Sequence, residues 1–323
     1  MIRLCAWLLA VLAAPAFAQT YAQRPEVQAF IGELVERHGF IEDELRTLFS
    51  RAQRIEPALQ AIQPPPPAER PSWEDYRAQF VNDKRIAGGI AFWNANRRAL
   101  ARVEPEFGVP PQYVVAIIGV ETFYGRNTGR WRVIDALTTL AFDYPARADF
   151  FRSELEQYLL LARDTGRDVF SIKGSYAGAI GIPQFMPGSA RRFAVDFDGD
   201  GTIDLQRNAA DAIGSVANFL KQHGWQPGGV VQLRARVSGD AWRAYADGEL
   251  LPRHAVFELL KNGVHAEPAP EPDSRAALIS LGSEMRLGLQ NFYVITRYNR
   301  SALYAASVAD LAEALKERQS AGK

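Results

Sequence analysis

The sequence predicts a mainly helical α+β protein that carries one small antiparallel β region. Three observations lead there. Apolar residues recur at three- and four-residue spacing over most of the chain, the mark of helices with one buried face. Over residues 230–281 the period shortens to two, as in half-buried strands. The composition, 47% hydrophobic and 23% charged over 323 residues, supports a real core and excludes a disordered or collagen-like chain. Lys plus Arg equals Asp plus Glu at 37 each, so no global charge draws the chain to nucleic acid or anionic lipid.

Residues 1–18 read as a signal peptide. Arg3 precedes the apolar run from Leu4 to Ala14, and Ala16-Phe17-Ala18 offers small residues before Gln19. The run is too short to span a bilayer. Cys5 is the only cysteine and precedes the apolar run, whereas a lipid-bearing cysteine would follow it. Cleavage leaves no thiol for a disulfide, so the core must hold alone. The expectation is an exported, soluble protein.

Two helices follow, from Val27, Phe30, Ile31, Leu34 and Val35, then Ile41, Leu45, Leu48 and Phe49. Pro64 to Pro67 reads as a stiff connector, with a ligand for a proline-recognising domain as the alternative. Helical patterns run from Trp73 to about Trp225, and Pro110-Pro111 suits a helix start. Val231, Leu233, Ala235 and Val237 then alternate with Gln232, Arg234 and Arg236. Ser238-Gly239-Asp240 and Lys261-Asn262-Gly263 are turn-like, and Glu267 to Pro272 reads as an exposed loop. Ser301 suits the cap of a last helix with the stripe Val308, Leu311, Leu315.

Chemistry concentrates in VPPQYVVAIIGVETFYG, residues 109–125. Glu121 is the only acid between Glu106 and Asp135. A carboxyl on a buried apolar helix is costly to ionise, and the negative helix C-terminus adds to that cost. Such a group stays protonated near neutrality, as a general acid at a glycosidic oxygen must. Local sequence leaves a second reading open, an exposed Glu at a frayed end or one paired with Arg126 or Arg130. Further on, Asp196, Asp198 and Asp200 fall at positions 1, 3 and 5 of an EF-hand-like loop. Gly201 stands at position 6, Thr202 at 7 with its carbonyl, and Ile203 at 8. Arg207 holds position 12, where Glu is standard, so a later acid must close the shell. An Asp/Gly turn without metal is the alternative.

Several stretches carry a resemblance: PSWEDYRAQF, IIGVETFYGRNTG, KGSYAGAIGIPQFMPGSARRFAVDFDGDGTIDL, DAIGSVANFLKQHGW and NFYVITRYNRSALYA. Together, over roughly Pro71 to Tyr304, the chain resembles the lytic murein transglycosylase B family. The resemblance implies a lysozyme-like helical core with an additional helical region and the small β region. It implies an enzyme of the periplasm that cleaves the β-1,4 bond between N-acetylmuramic acid and N-acetylglucosamine in peptidoglycan glycan strands. Glu121 matches the family's single catalytic acid. No second acid is implied, unlike the usual pair. Glu121 would protonate the leaving oxygen, the N-acetyl carbonyl would stabilise the anomeric carbon, and Glu121 would then take the C6 hydroxyl proton to close a 1,6-anhydro ring.

The resemblance also implies substrate-binding roles. Ser175 matches a serine near the N-acetyl group, Gln184 and Phe185 match groove-lining residues, and Tyr76 matches an aromatic on the groove wall. Tyr298, Asn299 and Tyr304 match a cluster beside the acid. Without the family each tyrosine reads as core. Asp211 matches the acid that completes a structural Ca²⁺ site with Asp196, Asp198, Asp200 and Thr202. Ile182 and Phe150 depart from residues found in some relatives. On this basis the chain divides into a signal peptide, 1–18, and one catalytic unit, 19–323. Within it lie an N-terminal helical region, 19–110, the lysozyme-like core, 111–225, with the loop 196–211, the β region, 226–285, and a helical return, 286–323. A hydrolytic muramidase and a non-catalytic, calcium-stabilised wall-binding protein are the competing functions. A Ser or Cys nucleophile has no recognisable triad here.

Overall fold

A computed structural model describes residues 20–321, so the signal peptide expected at 1–18 lies outside the described residues. The chain forms two compact units that divide between Gln53 and Arg54.

In the first unit, Pro25 opens helix α1 (Pro25–His38), and Gly39, left-handed at φ 66°, ends it. That is the usual pairing of a proline start with a glycine stop. Helix α2 (Glu42–Arg51) packs Leu45 and Phe49 against Val27, Phe30, Ile31 and Leu34 of α1. Phe30 and Phe49 meet edge to face at 6.2 Å. Ile41, expected on the buried stripe, is 59% exposed. It precedes the helix as its N-cap, so it has left the helical register that would turn it inward.

The second unit begins with α3 (Glu56–Ala61) and α4 (Trp73–Phe80), the latter capped by Ser72, whose hydroxyl accepts from the Asp75 amide. Helix α5 (Asp83–Ala95) is capped by Asn82 in the same way. Helices α6 (Arg97–Phe107) and α7 (Pro111–Thr122) follow. Helix α7 is apolar all round, which suits a helix enclosed by others. Val114, Val115, Ile117 and Ile118 are fully buried, each side chain contributing about 1.5–3 kcal/mol. A two-residue strand, β1 (Trp131–Arg132), leads into α8 (Val133–Asp143) and α9 (Ala148–Thr165). Strand β2 (Lys173–Gly174) pairs antiparallel with β1 and opens the segment that leads to α10 (Pro187–Phe193). Helix α11 (Ala209–Gln222), capped by Asn208, closes the helical core.

The β region holds β3 (Gln232–Val237), β4 (His254–Ala255), α12 (Val256–Lys261), β5 (Val264–Ala266), β6 (Arg275–Ser280) and β7 (Met285–Gly288). The five strands form one antiparallel sheet in the order β4-β6-β7-β3-β5. The expected alternation in β3 is present: Leu233, Ala235 and Val237 are half-buried while Arg234 and Arg236 are exposed. Both expected turns meet at one point, where the Ser238 amide donates to Gly263 O at 2.8 Å. A Cβ on Gly263, at φ 84°, would lie 2.1 Å from Ser238 O, so only glycine fits.

Helices α13 (Gln290–Thr296) and α14 (Ala302–Ala321) return to the core. Ser301 caps α14 as expected, its Oγ accepting from the Tyr304 amide at 3.3 Å. Small buried residues of α14, Ala305, Ala306, Ala309 and Ala312, let it lie close along α7.

One charged network ties this return to the sheet. Arg286, only 1% exposed, binds Asp310 of α14 with two nitrogens at 2.6 and 3.1 Å. Asp310 also accepts from Arg77 of α4 at 2.6 Å and Gln232 of β3 at 3.0 Å. The Arg286 guanidinium lies over the Trp73 ring at 4.9 Å. Burial pushes the Asp310 carboxyl up, but Arg286 and Arg77 outweigh it and hold it below its ordinary value. The stability it confers is complete above the unfolded aspartate pKa of about 3.9 and fades as pH falls through the lower folded value. Asp310→Ala is expected to cost about 3–5 kcal/mol, because it removes the bidentate partner of a buried guanidinium and leaves it Glu284 alone, at 3.0 Å. Exchanging Arg286 and Asp310 together for Met and Leu is expected to cost less, and urea denaturation of both variants checks the order.

Candidate active site

Glu121 lies in the last turn of α7, half-buried, its neighbours those of a dense core. The Tyr304 hydroxyl donates to Glu121 Oε1 at 2.7 Å. Tyr304 is itself 2% exposed, so it holds the acid from inside the core. Burial raises the Glu121 carboxyl from 4.5 to about 7, with the Tyr304 bond pulling the other way. Arg126 and Arg130, the partners of the alternative reading, sit over the Phe123 and Trp131 rings at 5.0 and 4.8 Å. No ion pair to Glu121 occurs among the described residues.

Two further tyrosines feel the acid. Burial, and then the Glu121 charge, raise the phenols of Tyr76 and Tyr298. Tyr76 stands half-buried on α4 with its ring 5.1 Å from Phe80. The Tyr298 hydroxyl donates to Pro183 O at 2.5 Å, which joins the end of α13 to the segment after β2. Asn299 follows it, exposed, its carbonyl accepting from the Ser301 amide at 2.7 Å.

The segment from Gly174 to Phe185 is tied to the end of α7 and to Tyr298 through Ile182 O and Pro183 O, and it borders a neighbouring cleft that Glu121 does not line. It folds on itself through paired bonds between Ile180 and Phe185 at 2.7 and 3.1 Å. The Ser175 hydroxyl accepts from the amides of Ala177 and Ala179 at 3.2 and 3.0 Å. Its own proton therefore remains free to donate outward. Gln184, left-handed at φ 52°, lends its amide to Thr128 O at 3.2 Å and Gly181 O at 2.8 Å. An open cleft runs here, lined by Ser175, Gln184, Arg126, Arg130, Trp131 and Tyr176.

Phe185 requires a correction. It was expected to line the groove, yet it is 2% exposed, its ring against Phe219 and Tyr298 at 5.6 and 5.7 Å. The kink at Gln184 sends one side chain out and the next in. Phe185 thus supports Tyr298 from beneath. Sequence reasoning passed over Thr122, Trp131 and Tyr176. The first has a signal, a polar side chain beside the acid at the end of an apolar helix. The aromatics gave none beyond their type.

Among the described residues, three non-glycine residues have positive φ: Phe123 at 51°, Tyr124 at 63° and Gln184 at 52°. All belong to the two segments around Glu121, and strain of this kind gathers where geometry is over-determined. Gly119 makes room for it, since a Cβ there would lie 2.7 Å from the Tyr124 ring.

The acidic loop lies between α10 and α11. Asp196 accepts from the amides of Gly199, Asp200 and Gly201 at 2.8, 3.2 and 2.7 Å. Asp211, fully buried, accepts from Phe197 and Asp204 at 2.9 and 2.8 Å. Asp196, Asp198 and Asp211 offer oxygens all within 4.8 Å of one another, a fit for a hard cation. Asp200 stands outside that trio, its Oδ1 accepting from the Thr202 amide at 2.7 Å. The loop leans on the groove wall. Leu205 O accepts from the Ile182 amide at 2.8 Å, and Gln206 Nε2 donates to Lys173 O at 3.0 Å.

Residues 22–313 match the Transglycosylase SLT domain family. The membrane-bound lytic murein transglycosylase B of Escherichia coli K12 is 40% identical over 314 residues, covering 91% of this chain and 84% of that protein. The chain belongs to the lytic murein transglycosylase B family. The fold agrees with that of solved members. Lytic transglycosylase SltB1 from Pseudomonas aeruginosa superposes with a TM-score of 0.88 at 46% identity, covering 93% of this chain and 99% of that one. Escherichia coli Slt35, solved in complex with calcium, gives 0.80 at 38% identity, covering 94% and 96%. The lysozyme-like architecture of the lytic murein transglycosylase B family is therefore the architecture of this chain.

A carboxyl raised by burial weakens the fold once it is forced to ionise. Unfolded, Glu121 loses its proton near 4.5, and folded near 7. Stability is therefore lost as pH rises between those values. Glu121→Gln does not titrate, so its melting temperature at pH 8 is expected to equal or exceed that of the parent. The difference should vanish by pH 5, as thermal melts at the two pH values would reveal.

Proposed function

We propose that in this peptidoglycan lytic transglycosylase one carboxyl, Glu121, serves as acid and then as base. Protonated, it gives its proton to the oxygen bridging N-acetylmuramic acid and N-acetylglucosamine. The N-acetyl carbonyl of the muramic acid, oriented by the outward proton of Ser175, stabilises the anomeric carbon as the bridge breaks. Ionised Glu121 then takes the proton of the C6 hydroxyl, and that oxygen closes on C1. The acid is restored, and the product is a 1,6-anhydromuramic acid end with no water added.

What carries this reading is the state of Glu121. Burial and the Tyr304 hydroxyl, not a neighbouring carboxylate, set its proton affinity. Two-carboxylate glycosidases place the second group within about 5–9.5 Å, and no such partner perturbs this one. A tethered hydroxyl needs no activated water, because intramolecular attack supplies its own effective concentration. Tyr76 and Tyr298 suit the flanks of a sugar, offering a ring face and a hydroxyl. Trp131 and Tyr176 extend the same surface past Ser175. Tyr304 acts through the acid, and Phe185 through Tyr298.

Calcium fits the acidic loop through Asp196, Asp198 and Asp211, with Asp200 and the Thr202 carbonyl completing the proposed set. Bound there, the ion neutralises carboxylates that otherwise repel. Its part is structural. The residues before Gln19 and the family together support export to the periplasm by a cleaved signal peptide. No helix among the described residues is long and apolar enough to cross a membrane.

Digestion of purified sacculi is expected to release ends lighter by one water than a hydrolase would give, and Glu121→Gln to abolish release while retaining glycan binding. With Glu121 needed as the acid, kcat/KM should hold below pH 7 and fall above it. Mass spectrometry showing reducing ends instead would favour the muramidase. Saturating calcium is expected to raise the melting temperature by several degrees, since a hundredfold excess over Kd stabilises by about 2.7 kcal/mol. Asp196→Asn should remove most of that response, as calorimetry with and without chelator would record.

A further inference from the structure

We propose that Thr122 is a positioning residue for the Glu121 carboxyl, pinning the turn after it to the groove wall at Ile182. The inference rests on Glu121 being the acid. Thr122 is 1% exposed and carries a hydroxyl that works in both directions. Its Oγ1 accepts from the Gly125 amide at 2.9 Å and donates to Ile182 O at 2.9 Å. Ile118 O, at 3.3 Å, is the weaker competitor for the same proton. The Thr122 carbonyl accepts from the Asn127 amide at 2.9 Å, so the whole turn winds about this one residue.

That turn needs holding. Phe123 and Tyr124 both adopt the left-handed conformation, which residues bearing a Cβ leave when free to do so. Glu121 is two residues upstream of Phe123. On the far side, Arg85 of α5 donates to Gly119 O, and the Tyr124 hydroxyl donates to Arg85 O at 2.9 Å. On the groove side, Pro183, next to Ile182, receives the Tyr298 hydroxyl. Thr122 therefore joins the acid's helix to the wall that Tyr298 also grips. Because the acceptor at 182 is a backbone carbonyl, the departure of Ile182 from some relatives leaves the bond intact. The Ile182 side chain serves separately, packing against the turn at Gly125.

The groups that face Glu121 are Tyr304 from α14, Tyr298 from the end of α13 and Tyr76 from α4, with Arg85 of α5 bonded to its helix end. Burial lifts all three phenols further from neutrality. A change in the neutral limb of a rate profile therefore reports on Glu121.

Thr122→Val keeps the volume and removes both hydroxyl bonds, while Thr122→Ser keeps them. For the Val variant, kcat on sacculi is expected to fall about 10- to 100-fold, as for a reacting group displaced by about an ångström, with KM within about twofold. The falling limb of its pH profile should move to lower pH, because a loosened turn admits water to the carboxyl. The Ser variant should retain most of kcat and the parental limb. A Val variant with parental kcat and limb overturns the proposal, as does a Ser variant damaged as much as Val. Should Thr122→Val not fold, Thr122→Cys, which weakens both bonds at similar volume, is judged by the same criteria. Glu121→Gln assayed alongside separates the two ideas. An active Gln variant removes the acid itself, whereas an inactive one beside an unaffected Thr122→Val overturns only the positioning role.

Discussion

A carboxyl that is to hold its proton near neutral pH must be kept from water and yet remain open to a ligand. In the mechanism proposed for Glu121, that constraint falls on the elements that meet around it. Helix α7 supplies an apolar surround, α14 supplies a hydroxyl donor from within the core, and the Gly174–Phe185 segment supplies an outer wall. Burial alone would leave the ionised form stranded. The Tyr304 bond moderates this by donating to the carboxylate, which brings the group back toward the range where it can both give and take a proton.

The supports of this arrangement lie away from the acid. Asp310, Arg286, Arg77 and Gln232 fix α4 and α14 to the sheet, and those two helices carry Tyr76 and Tyr304. A buried ion cluster is weak evidence for stability as such, but its bidentate geometry sets direction. It gives the small β region a mechanical purpose: the sheet is the surface against which the helices bearing the site are registered. The acidic loop does similar service on the other flank, where Leu205 and Gln206 hold both ends of the groove wall.

Much of this could be read from the residues, because the features concerned are local. The alternation in β3, the Ser301 cap, the Pro110-Pro111 start and the lone acid on an apolar helix each depend on neighbours within a few positions. What escaped reading depends on distant partners. Arg286 sits in a strand where alternation alone would suggest a solvated face, and Asp310 on α14, with Glu284 beside it, makes its burial tolerable. Ile182, sixty residues beyond Thr122, leaves no trace near GVET. Phe185 and Gln184 are consecutive, and a single left-handed residue decides which faces the cleft. Ile41 looked like part of an apolar stripe until the helix was seen to begin after it.

The bond between Glu121 and Tyr304 spans 183 residues of sequence. A chain emerging from synthesis has the carboxylate long before it has the phenol. Until the final helix is laid down, α7 lacks one side of its enclosure, and the carboxyl stays wet and ordinary. The environment that tunes this carboxyl is thus completed last, because the hydroxyl that contacts it comes from the last described helix.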